Sequence, residues 1–360
     1  MKLFATLAAA LIAAASARKV DATAFRPHTN LRIPVRPVTE LEYIAAKVNA
    51  LDTTWTAEAP THRFGTTADV AKLCGTWGKH HPGYVHLPDI STFDDYEFVG
   101  DVPSSYDART AHAECTVISK IRDQSSCGSC WSFGSTECFE DRRCIATKED
   151  IEFSSEDTAS CCRGFSCGMS QGCNGGQPTA ALRWMSNKGV VTGGDYPDMN
   201  KGTGCRAYSL APCAHHVPPS AKYPACPKEE YHTPKCEAKC ESAYTNKTYE
   251  EDKTKSARAF TVHGVEKIMS ELVSGGPLSC TFTVYSDFPT YKSGVYQRTA
   301  GATPLGGHAV EIIGYGTESG TDYWLVKNSW NEEWGDGGTF KILRGKNECG
   351  IEDEVAGVSF

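Results

Sequence analysis

The chain has 360 residues, 17 of them cysteine, and a formal net charge of −8 at pH 7. This length leaves room for about two domains. The negative charge disfavours nucleic acid as a partner, because binding to phosphates calls for a basic surface. Dense cysteine is typical of an exported protein stabilised by disulfides, since the secretory route is oxidising. The odd number of cysteines leaves at least one thiol unpaired within the chain.

The first residues have the pattern of a secretory signal peptide. Lys2 precedes an apolar run over 3–15, which ends in the small residues Ala15-Ser16-Ala17. A charged end, an apolar core and a small-residue cleavage site are the three parts of such a leader. A membrane helix is the alternative, but the run is too short to cross about 30 Å of hydrocarbon. We therefore predict a signal peptide over 1–17, entry into the secretory pathway and no membrane insertion.

Residues 18–101 differ in composition from the C-terminal remainder of the chain. They contain one cysteine, Cys74, and one helix candidate over 38–48, where apolar residues recur at helical spacing. The rest of this segment is punctuated by proline and glycine and is predicted to be extended or loop. Such a segment could hardly bury a core alone, so we expect it to pack on the remainder of the chain.

The remaining residues have helical periodicity first and strand-like alternation later. The segments are helices near 130–144 and 178–188, a Pro- and Cys-rich loop region over 205–240, and strands at 308–313, 323–327 and 340–343. A turn at Glu318-Ser319-Gly320 predicts that the first two strands form a hairpin. This order predicts an α+β protein of two packed lobes.

The most informative motif is Cys127-Gly128-Ser129-Cys130-Trp131, preceded by Gln124. Small residues let the chain turn into a helix that begins near Cys130. A helix N-terminus favours a thiolate, because its free N–H groups and its dipole stabilise an anion. A redox pair of Cys127 and Cys130 has the same spacing, but no short βαβ unit surrounds it. We interpret Cys130 as a nucleophile.

His308 and Asn328 are the best candidates for its base and the group that orients the base. His308 follows two glycines at the start of a strand, where close approach to another lobe is possible, and Asn328 ends the partner strand of the hairpin. An Asn side chain can accept a hydrogen bond from one ring nitrogen and direct the other toward the thiolate. Trp330 could cover that bond and exclude water.

These residues together resemble the papain family of cysteine proteases, and cathepsin B-like members in particular. The resemblance implies a two-lobed α+β fold, with a helical lobe and a β-barrel-like lobe, an N-terminal propeptide and an occluding-loop insertion. It implies that Cys130 is the nucleophile, His308 the general base and Asn328 the orienting residue. It also implies that the Gln124 amide donates to the oxyanion hole. His308 lies farther from the cysteine than the roughly 130–150 residues of the signature, so an insertion must separate them.

The insertion resembles the occluding loop of cathepsin B over about 213–226. The resemblance implies that His215 and His216 are cationic at acidic pH and bind the C-terminal carboxylate of a substrate. It further pairs His215 with Asp123. Peptidyl-dipeptidase activity would then accompany endopeptidase activity. Two solvated histidines in a mobile loop are the alternative.

Glu354 matches the carboxylate at the base of the S2 pocket, which would admit Arg at P2 beside bulky apolar side chains. Gln177 departs from the family, which often has tyrosine in the S2 wall. The other substrate-binding residues implied by the resemblance are Gly175, Gly176, Pro178, Ala309 and Trp330.

Residues 72–76 resemble the propeptide segment that lies along the cleft in the reverse direction to a substrate, and 102–109 resemble the start of a mature enzyme. We therefore expect an inhibitory propeptide over 18–101, a cut near residue 101 and a peptidase domain over 102–360. The disulfides implied by the resemblance are Cys115–Cys144, Cys127–Cys173, Cys161–Cys236, Cys162–Cys167, Cys205–Cys240 and Cys213–Cys226. The cysteines left without an assigned partner, besides Cys130, are Cys74, Cys138, Cys280 and Cys349.

The resemblance also sets expectations for partners and location. We expect polypeptide substrates, the chain's own propeptide and cystatin-like inhibitors as partners, a monomer, and neither cofactor nor metal. We expect a lysosome-like acidic compartment or the extracellular space. Three rivals stay open: an endopeptidase only, a non-catalytic extracellular homologue, which usually loses the nucleophile, and a disulfide oxidoreductase, which would reduce insulin and not cleave peptides.

Overall fold

The structure is a computed structural model that describes residues 39–59 and 66–360. The predicted signal peptide over 1–17 lies outside the described residues. Among the described helices, none combines the length and the apolar character needed to span a bilayer.

In the described part most α-helices precede most strands along the chain, and loops and short 3₁₀ turns join them. The α-helices are α1 (Glu40–Asn49), α2 (Thr67–Leu73), α3 (Ala108–Ala111), α4 (Cys130–Thr147), α5 (Ser155–Cys161), α6 (Pro178–Lys188), α7 (Tyr249–Asp252) and α8 (Val265–Ser274). The strands are β1 (Trp55–Ala57), β2 (Tyr106–Asp107), β3 (Arg258–Val262), β4 (Leu278–Tyr285), β5 (Tyr291–Tyr296), β6 (Pro304–Glu318), β7 (Thr321–Lys327), β8 (Thr339–Leu343) and β9 (Val355–Ser359).

Helix α4 is the central helix of the helical part. It is buried along most of its length and packs against α6 around Trp131, Phe139, Leu182 and Met185. Proline at the first position of α6 suits a helix start, because that N–H has no partner within the helix. Both helices confirm the predictions for 130–144 and 178–188, and α4 begins at Cys130 as predicted.

The strands form one mixed sheet with the order β1-β5-β8-β7-β6-β4-β9-β3, and β2 also pairs with β6. Strands β6 and β7 make an antiparallel hairpin. Ser319 and Gly320, with φ of 49° and 80°, form its turn, so the hairpin prediction is confirmed. The strand predicted at 340–343 is β8. His308 lies inside β6 rather than at its start, because β6 already begins at Pro304.

All six disulfides implied by the family resemblance are present. The bridge between Cys213 and Cys226 closes the predicted occluding loop. The cysteines outside disulfides are those predicted to be unpaired: Cys74, Cys130, Cys138, Cys280 and Cys349.

The N-terminal segment, meaning residues 39–59 and 66–101, packs on the rest of the chain as expected. Helix α1 confirms the predicted helix, and a capping box from Thr39 closes its first turn. Strand β1 pairs with β5 at the edge of the sheet. The expectation that the rest of this segment is extended or loop is wrong for α2. That helix is stabilised by a capping box at Thr66 and by burial of Val70 and Leu73, and it is too short to show a clear period.

Candidate active site

Cys130 is the first residue of α4, and its side chain is buried. Its sulfur lies 3.3 Å from the hydroxyl of Thr76 in the N-terminal segment. Burial alone would raise the pKa of the thiol. Burial is the largest single influence, but the charge of His308, together with hydrogen bonds from His308, Thr76 and the Ala309 backbone, outweighs it and lowers the pKa of Cys130 below its ordinary value. The site therefore favours a thiolate.

His308 is held from one side by Asn328 and covered by Trp330. The His308 Nε2 and Asn328 Oδ1 atoms are 2.8 Å apart, and both residues are buried. The Trp330 ring centroid lies 4.9 Å from that of His308. Because Asn328 Oδ1 also accepts the Ser329 N–H at 2.9 Å, it acts as an acceptor, and Nε2 must donate. His308 Nδ1 makes no hydrogen bond of ordinary geometry among the described residues, which leaves it for the sulfur.

Gln124 is buried, and hydrogen bonds from both ends of its amide fix the amide orientation. Its Oε1 accepts the Ser329 hydroxyl at 2.9 Å. Its Nε2 donates to the Cys127 carbonyl at 2.8 Å and to the Leu73 carbonyl at 3.1 Å. The Leu73 carbonyl of the N-terminal segment therefore already accepts a hydrogen bond from Gln124 Nε2, the group predicted to donate to the oxyanion hole.

The N-terminal segment crosses the cleft next to Cys130 by backbone pairing. The Gly75 carbonyl accepts the Gly176 N–H at 2.8 Å, and Thr76 N–H donates to the Gly307 carbonyl at 3.0 Å. A side chain on Gly75 would collide with the Gly128 carbonyl, because its Cβ would lie 1.8 Å from that oxygen. The two glycines before His308 do allow a close approach, but it is made by the N-terminal segment: a Cβ on Gly306 would lie 2.7 Å from Cys74 Cβ, and one on Gly307 would lie 2.5 Å from the Thr76 carbonyl oxygen.

The remaining residues predicted to bind substrate are all buried. Gly175 has φ of 107° and lies beside the Trp77 indole. Gly176 leaves no room for a side chain, since its Cβ would lie 2.5 Å from the Trp131 ring. Pro178 is the buried first residue of α6, and Ala309 is buried directly after His308.

Glu354 and Gln177 both bind backbone groups of the N-terminal segment. Glu354 Oε1 accepts the Lys79 N–H at 2.7 Å, and burial, its largest influence, raises the pKa of this carboxyl. Gln177 Oε1 accepts the Val85 N–H at 3.0 Å, and its Nε2 donates to the Gly168 carbonyl at 3.0 Å. The segment thus fills the part of the cleft that includes Glu354.

The occluding-loop histidines differ in their surroundings. His215 Nε2 lies 2.7 Å from Asp123 Oδ1, as predicted. Both ring nitrogens of His216 lack a hydrogen-bond partner among the described residues. Burial, followed by the charges of His215 and His308, lowers the pKa of His216 to about 3. Burial in this precursor state therefore opposes the positive charge expected of His216 at acidic pH, and the charge of both histidines in a processed enzyme stays a prediction.

The comparisons with known proteins agree with this geometry. Residues 102–359 match the family described as papain family cysteine protease. The chain belongs to the papain family of cysteine proteases. It is 45% identical over 321 residues to "Cathepsin B-like cysteine proteinase 6" of Caenorhabditis elegans, covering 86% of this chain and 80% of that protein. It is 46% identical over 273 residues to "Gut-specific cysteine proteinase" of the same organism, covering 75% and 77%.

Solved structures of papain-family proenzymes match over most of the chain. "ProCathepsin B S9 from Trypanosoma congolense" aligns with a TM-score of 0.73 at 29% identity, covering 90% of this chain and 99% of that one. "Digestive procathepsin L 3" of Tenebrio molitor has the same fold at 18% identity and a TM-score of 0.61. The predicted papain-like α+β fold is confirmed, and the chain is a cathepsin B-like cysteine peptidase.

A buried charge cluster, which we did not predict, joins α4 to the hairpin of β6 and β7. Lys327 Nζ lies 3.0 Å from Asp141 on α4 and 2.7 Å from Glu311 on β6, and all three side chains are fully buried. Glu137 is also buried. The nearby Lys327 charge lowers the pKa of its carboxyl, but burial acts in the opposite direction and the pKa is raised overall. Two sequence features could have pointed to the cluster: Lys327 directly precedes Asn328, and the acids Glu137 and Asp141 are four residues apart on the predicted helix.

One group of side chains has the geometry of metal ligands. Ligand atoms of Cys213, His215 and Cys226 lie within 4.8 Å of one another. The two sulfurs are joined in a disulfide, so they are not thiolates. This group therefore offers one imidazole and does not suit a metal ion.

Proposed function

We propose that Cys130 cleaves peptide bonds through a thioester, with His308 as acid and base and Asn328 as orienting residue. The Cys130 thiolate adds to the peptide carbonyl, and the oxyanion is bound by Gln124 Nε2 and the Cys130 backbone N–H. The His308 imidazolium then gives its proton to the departing amine, and a water activated by His308 hydrolyses the thioester. The 2.8 Å contact of His308 with Asn328 carries this proposal.

An active-site label tests the assignment of the nucleophile. The precursor is processed at about pH 5 and treated with a peptidyl epoxide that alkylates activated thiols, and the modified peptide is located by mass spectrometry. We expect the label on Cys130 alone and none in Cys130→Ser. Cys280→Ser is the matched control, because Cys280 is a buried thiol whose pKa burial raises, and its loss should not change labelling. A label on another cysteine would contradict the assignment.

We also propose that residues 1–17 are a signal peptide, 18–101 an inhibitory propeptide and 102–360 the peptidase. Support comes from Gly75 and Thr76, which pair with the cleft backbone, and from Leu73, whose carbonyl oxygen binds Gln124. The match to procathepsin structures over 90% of the chain is consistent with this division. Intact mass of the acid-processed protein should place its first residue near 102. A fully active enzyme that retains residues 72–76 would contradict the propeptide role.

A further proposal is that His216, supported by His215, binds the C-terminal carboxylate of a substrate and so allows release of dipeptides. The His215–Asp123 contact holds the loop, and the free nitrogens of His216 are available once the N-terminal segment leaves. The segment bears on this directly, because Asp69 and Lys72 line a cavity of roughly 500 Å³ together with His216. Departure of Asp69 and Lys72 with the segment would expose the His216 ring, so that the ring could be protonated at acidic pH as an ordinary histidine is.

Paired substrates test the carboxylate site. One internally quenched peptide ends in a free acid and its twin in an amide. A hydrogen bond to a charged group contributes about 1.5–3 kcal/mol, so His216→Ala should lower kcat/KM for the free acid roughly 10- to 150-fold. The amide twin and endopeptidase cleavage should change little. Equal loss on both peptides would favour the endopeptidase-only alternative.

We propose that Glu354 lies at the base of S2 and accepts Arg at P2. Its burial and its contact with the Lys79 N–H support this position. Glu354→Ala should lower the ratio of kcat/KM for Arg-Arg over Phe-Arg substrates, because a guanidinium loses its charged partner. An unchanged ratio would remove Glu354 from S2.

For location and partners, we propose the secretory route, ending in an acidic lysosome-like compartment or outside the cell. The predicted leader and six disulfides support an oxidising route. A relative named as gut-specific fits an extracellular destination. Polypeptide substrates, cystatin-like inhibitors and a monomeric state belong to the same proposal. Secretion of the full chain from cultured cells, with loss of 1–17, would test the route.

A further inference from the structure

The sequence contains one motif that the proposed peptidase function does not use. Asn246-Lys247-Thr248 has the form of an acceptor for an N-linked oligosaccharide, in which a residue other than proline separates asparagine from serine or threonine. None of the other asparagines in the full sequence stands two residues before a serine or threonine. Such acceptors are modified in secreted proteins, so the motif has chemical meaning in the secretory route proposed above.

The acceptor lies on an exposed turn that folding does not bury. Residues 245–248 are all exposed, and Asn246 lies in a bend between the Cys205–Cys240 disulfide and the start of α7. An oligosaccharide is bulky and polar, so it has to stay in water at the surface. The folded protein therefore has room for an oligosaccharide at Asn246.

Hydrogen bonds before the acceptor hold this turn without using the Asn246 side chain. Glu241 N–H donates to the Cys205 carbonyl at 2.8 Å. The Tyr244 hydroxyl donates to Asp252 Oδ1 at 2.6 Å. Because the turn is anchored by these groups and by the disulfide, a modified Asn246 can be accommodated without a change in the fold.

Thr248 has a second role in the folded protein, as the N-cap of α7. Its N–H and its hydroxyl both donate to Glu251 Oε2, at 2.9 Å and 2.7 Å, and the two residues form a capping box. The hydroxyl of the acceptor motif is therefore already engaged once α7 has formed. It follows that the sugar is transferred before α7 folds, while the chain is still entering the secretory route.

We propose that Asn246 carries an N-linked oligosaccharide that shields the peptide bond after Lys247 from proteolysis. This inference rests on the proposed secretory route. In the transfer, the Asn246 amide nitrogen bonds to the first carbon of a sugar carried on a lipid pyrophosphate. The bond from that carbon to the pyrophosphate breaks, and the amide loses one proton. Exposed polar turns are preferred sites of proteolytic nicking, so an oligosaccharide next to the exposed Lys247 blocks access to its peptide bond.

The test uses the full-length Cys130→Ala precursor, which cannot cleave itself, secreted from cultured eukaryotic cells. An amidase that removes N-linked oligosaccharides leaves aspartate at the modified position, which peptide mass spectrometry locates. We expect the amidase to lower the mass of the precursor and to leave aspartate at 246. Thr248→Asn destroys the acceptor but keeps a good N-cap, so it should be secreted without an oligosaccharide. Thr248→Ser keeps both the acceptor and the cap and should keep the oligosaccharide.

The outcomes separate this inference from the proposed secretory route. A precursor that is secreted without residues 1–17 but with an unmodified Asn246 would overturn the inference and leave the route intact. A precursor that stays inside the cell with residues 1–17 uncleaved would overturn both.

Limited digestion by trypsin tests the shielding. Asn246→Gln and Thr248→Asn remove the oligosaccharide by changing different residues, so both should be cut after Lys247 several-fold faster than the unsubstituted precursor and Thr248→Ser. Thermal unfolding checks that the four proteins are equally folded. Equal cutting of all four proteins would overturn the shielding. Faster cutting of only one oligosaccharide-free variant would trace the effect to that substitution and would also overturn it.

Discussion

Glu137 should make the protein less stable at neutral pH than at acidic pH. Its side chain is 1% exposed on α4, the helix that carries Cys130. Burial, opposed by the charges of Lys327 and Arg122, raises the pKa of its carboxyl from 4.5 to about 7. The folded state therefore holds this proton at pH values where the unfolded chain has lost it.

The sign and size of the effect follow from linkage between folding and protonation. Because the folded pKa is raised, the stabilisation is fully present below about pH 4.5 and is lost as the pH rises through 7. Between pH 5 and pH 7 this single group accounts for about 2 kcal/mol. For a protein of this size, that loss lowers Tm by roughly 3 °C.

Thermal unfolding of the full-length Cys130→Ala precursor measures the effect without self-cleavage. We expect its Tm to fall between pH 5 and pH 7 by roughly 3 °C more than that of the same protein carrying Glu137→Gln. Glu229→Gln is the control, because Glu229 is exposed and should leave the pH slope unchanged. If Glu137→Gln and the parent had the same slope, the reasoning about the buried carboxyl would be refuted.

Three further changes test other parts of the structure. Lys327→Met should destabilise the Cys130→Ala precursor by about 3–5 kcal/mol, because it leaves buried carboxylates unpaired, and an unchanged Tm would contradict the cluster. Gly75→Ala should speed acid processing of the precursor on a gel time course, since its Cβ would collide with the Gly128 carbonyl, and slower processing would contradict the close fit. Asn328→Ala should lower kcat/KM at least tenfold with a narrowed pH profile, because His308 loses its orienting acceptor; a normal profile would count against that role.

Local sequence patterns were sufficient to single out the residues of the candidate site. The Cys130 motif, the His308 strand and Asn328 each have a strong pattern over a few residues. The hairpin of β6 and β7 then brings the last two within 2.8 Å. Because papain-family members keep these residues in one order, the resemblance supplied the contact between distant segments that periodicity cannot give.

Features that depend on tertiary burial were harder to predict. Helix α2 shows too few turns for a period, and its helical state depends on packing of Leu73 against the sheet. His216 is neutral in this state because burial opposes its charge, which the residue type alone does not reveal. The same holds for Glu137 and Lys327, because the spacing of acids on the helix and the position of Lys327 before Asn328 do not by themselves show that these side chains meet in the interior.

Alkylation of the processed enzyme by iodoacetamide from pH 4 to 9 tests most directly whether His308 keeps Cys130 ionised. We expect the rate on Cys130 to stay high well below pH 6 in the wild type. In His308→Ala the alkylation rate should decrease as the pH drops below the ordinary thiol pKa near 8.5. A wild-type rate that already follows an ordinary thiol, or one unchanged in His308→Ala, would contradict the ion pair.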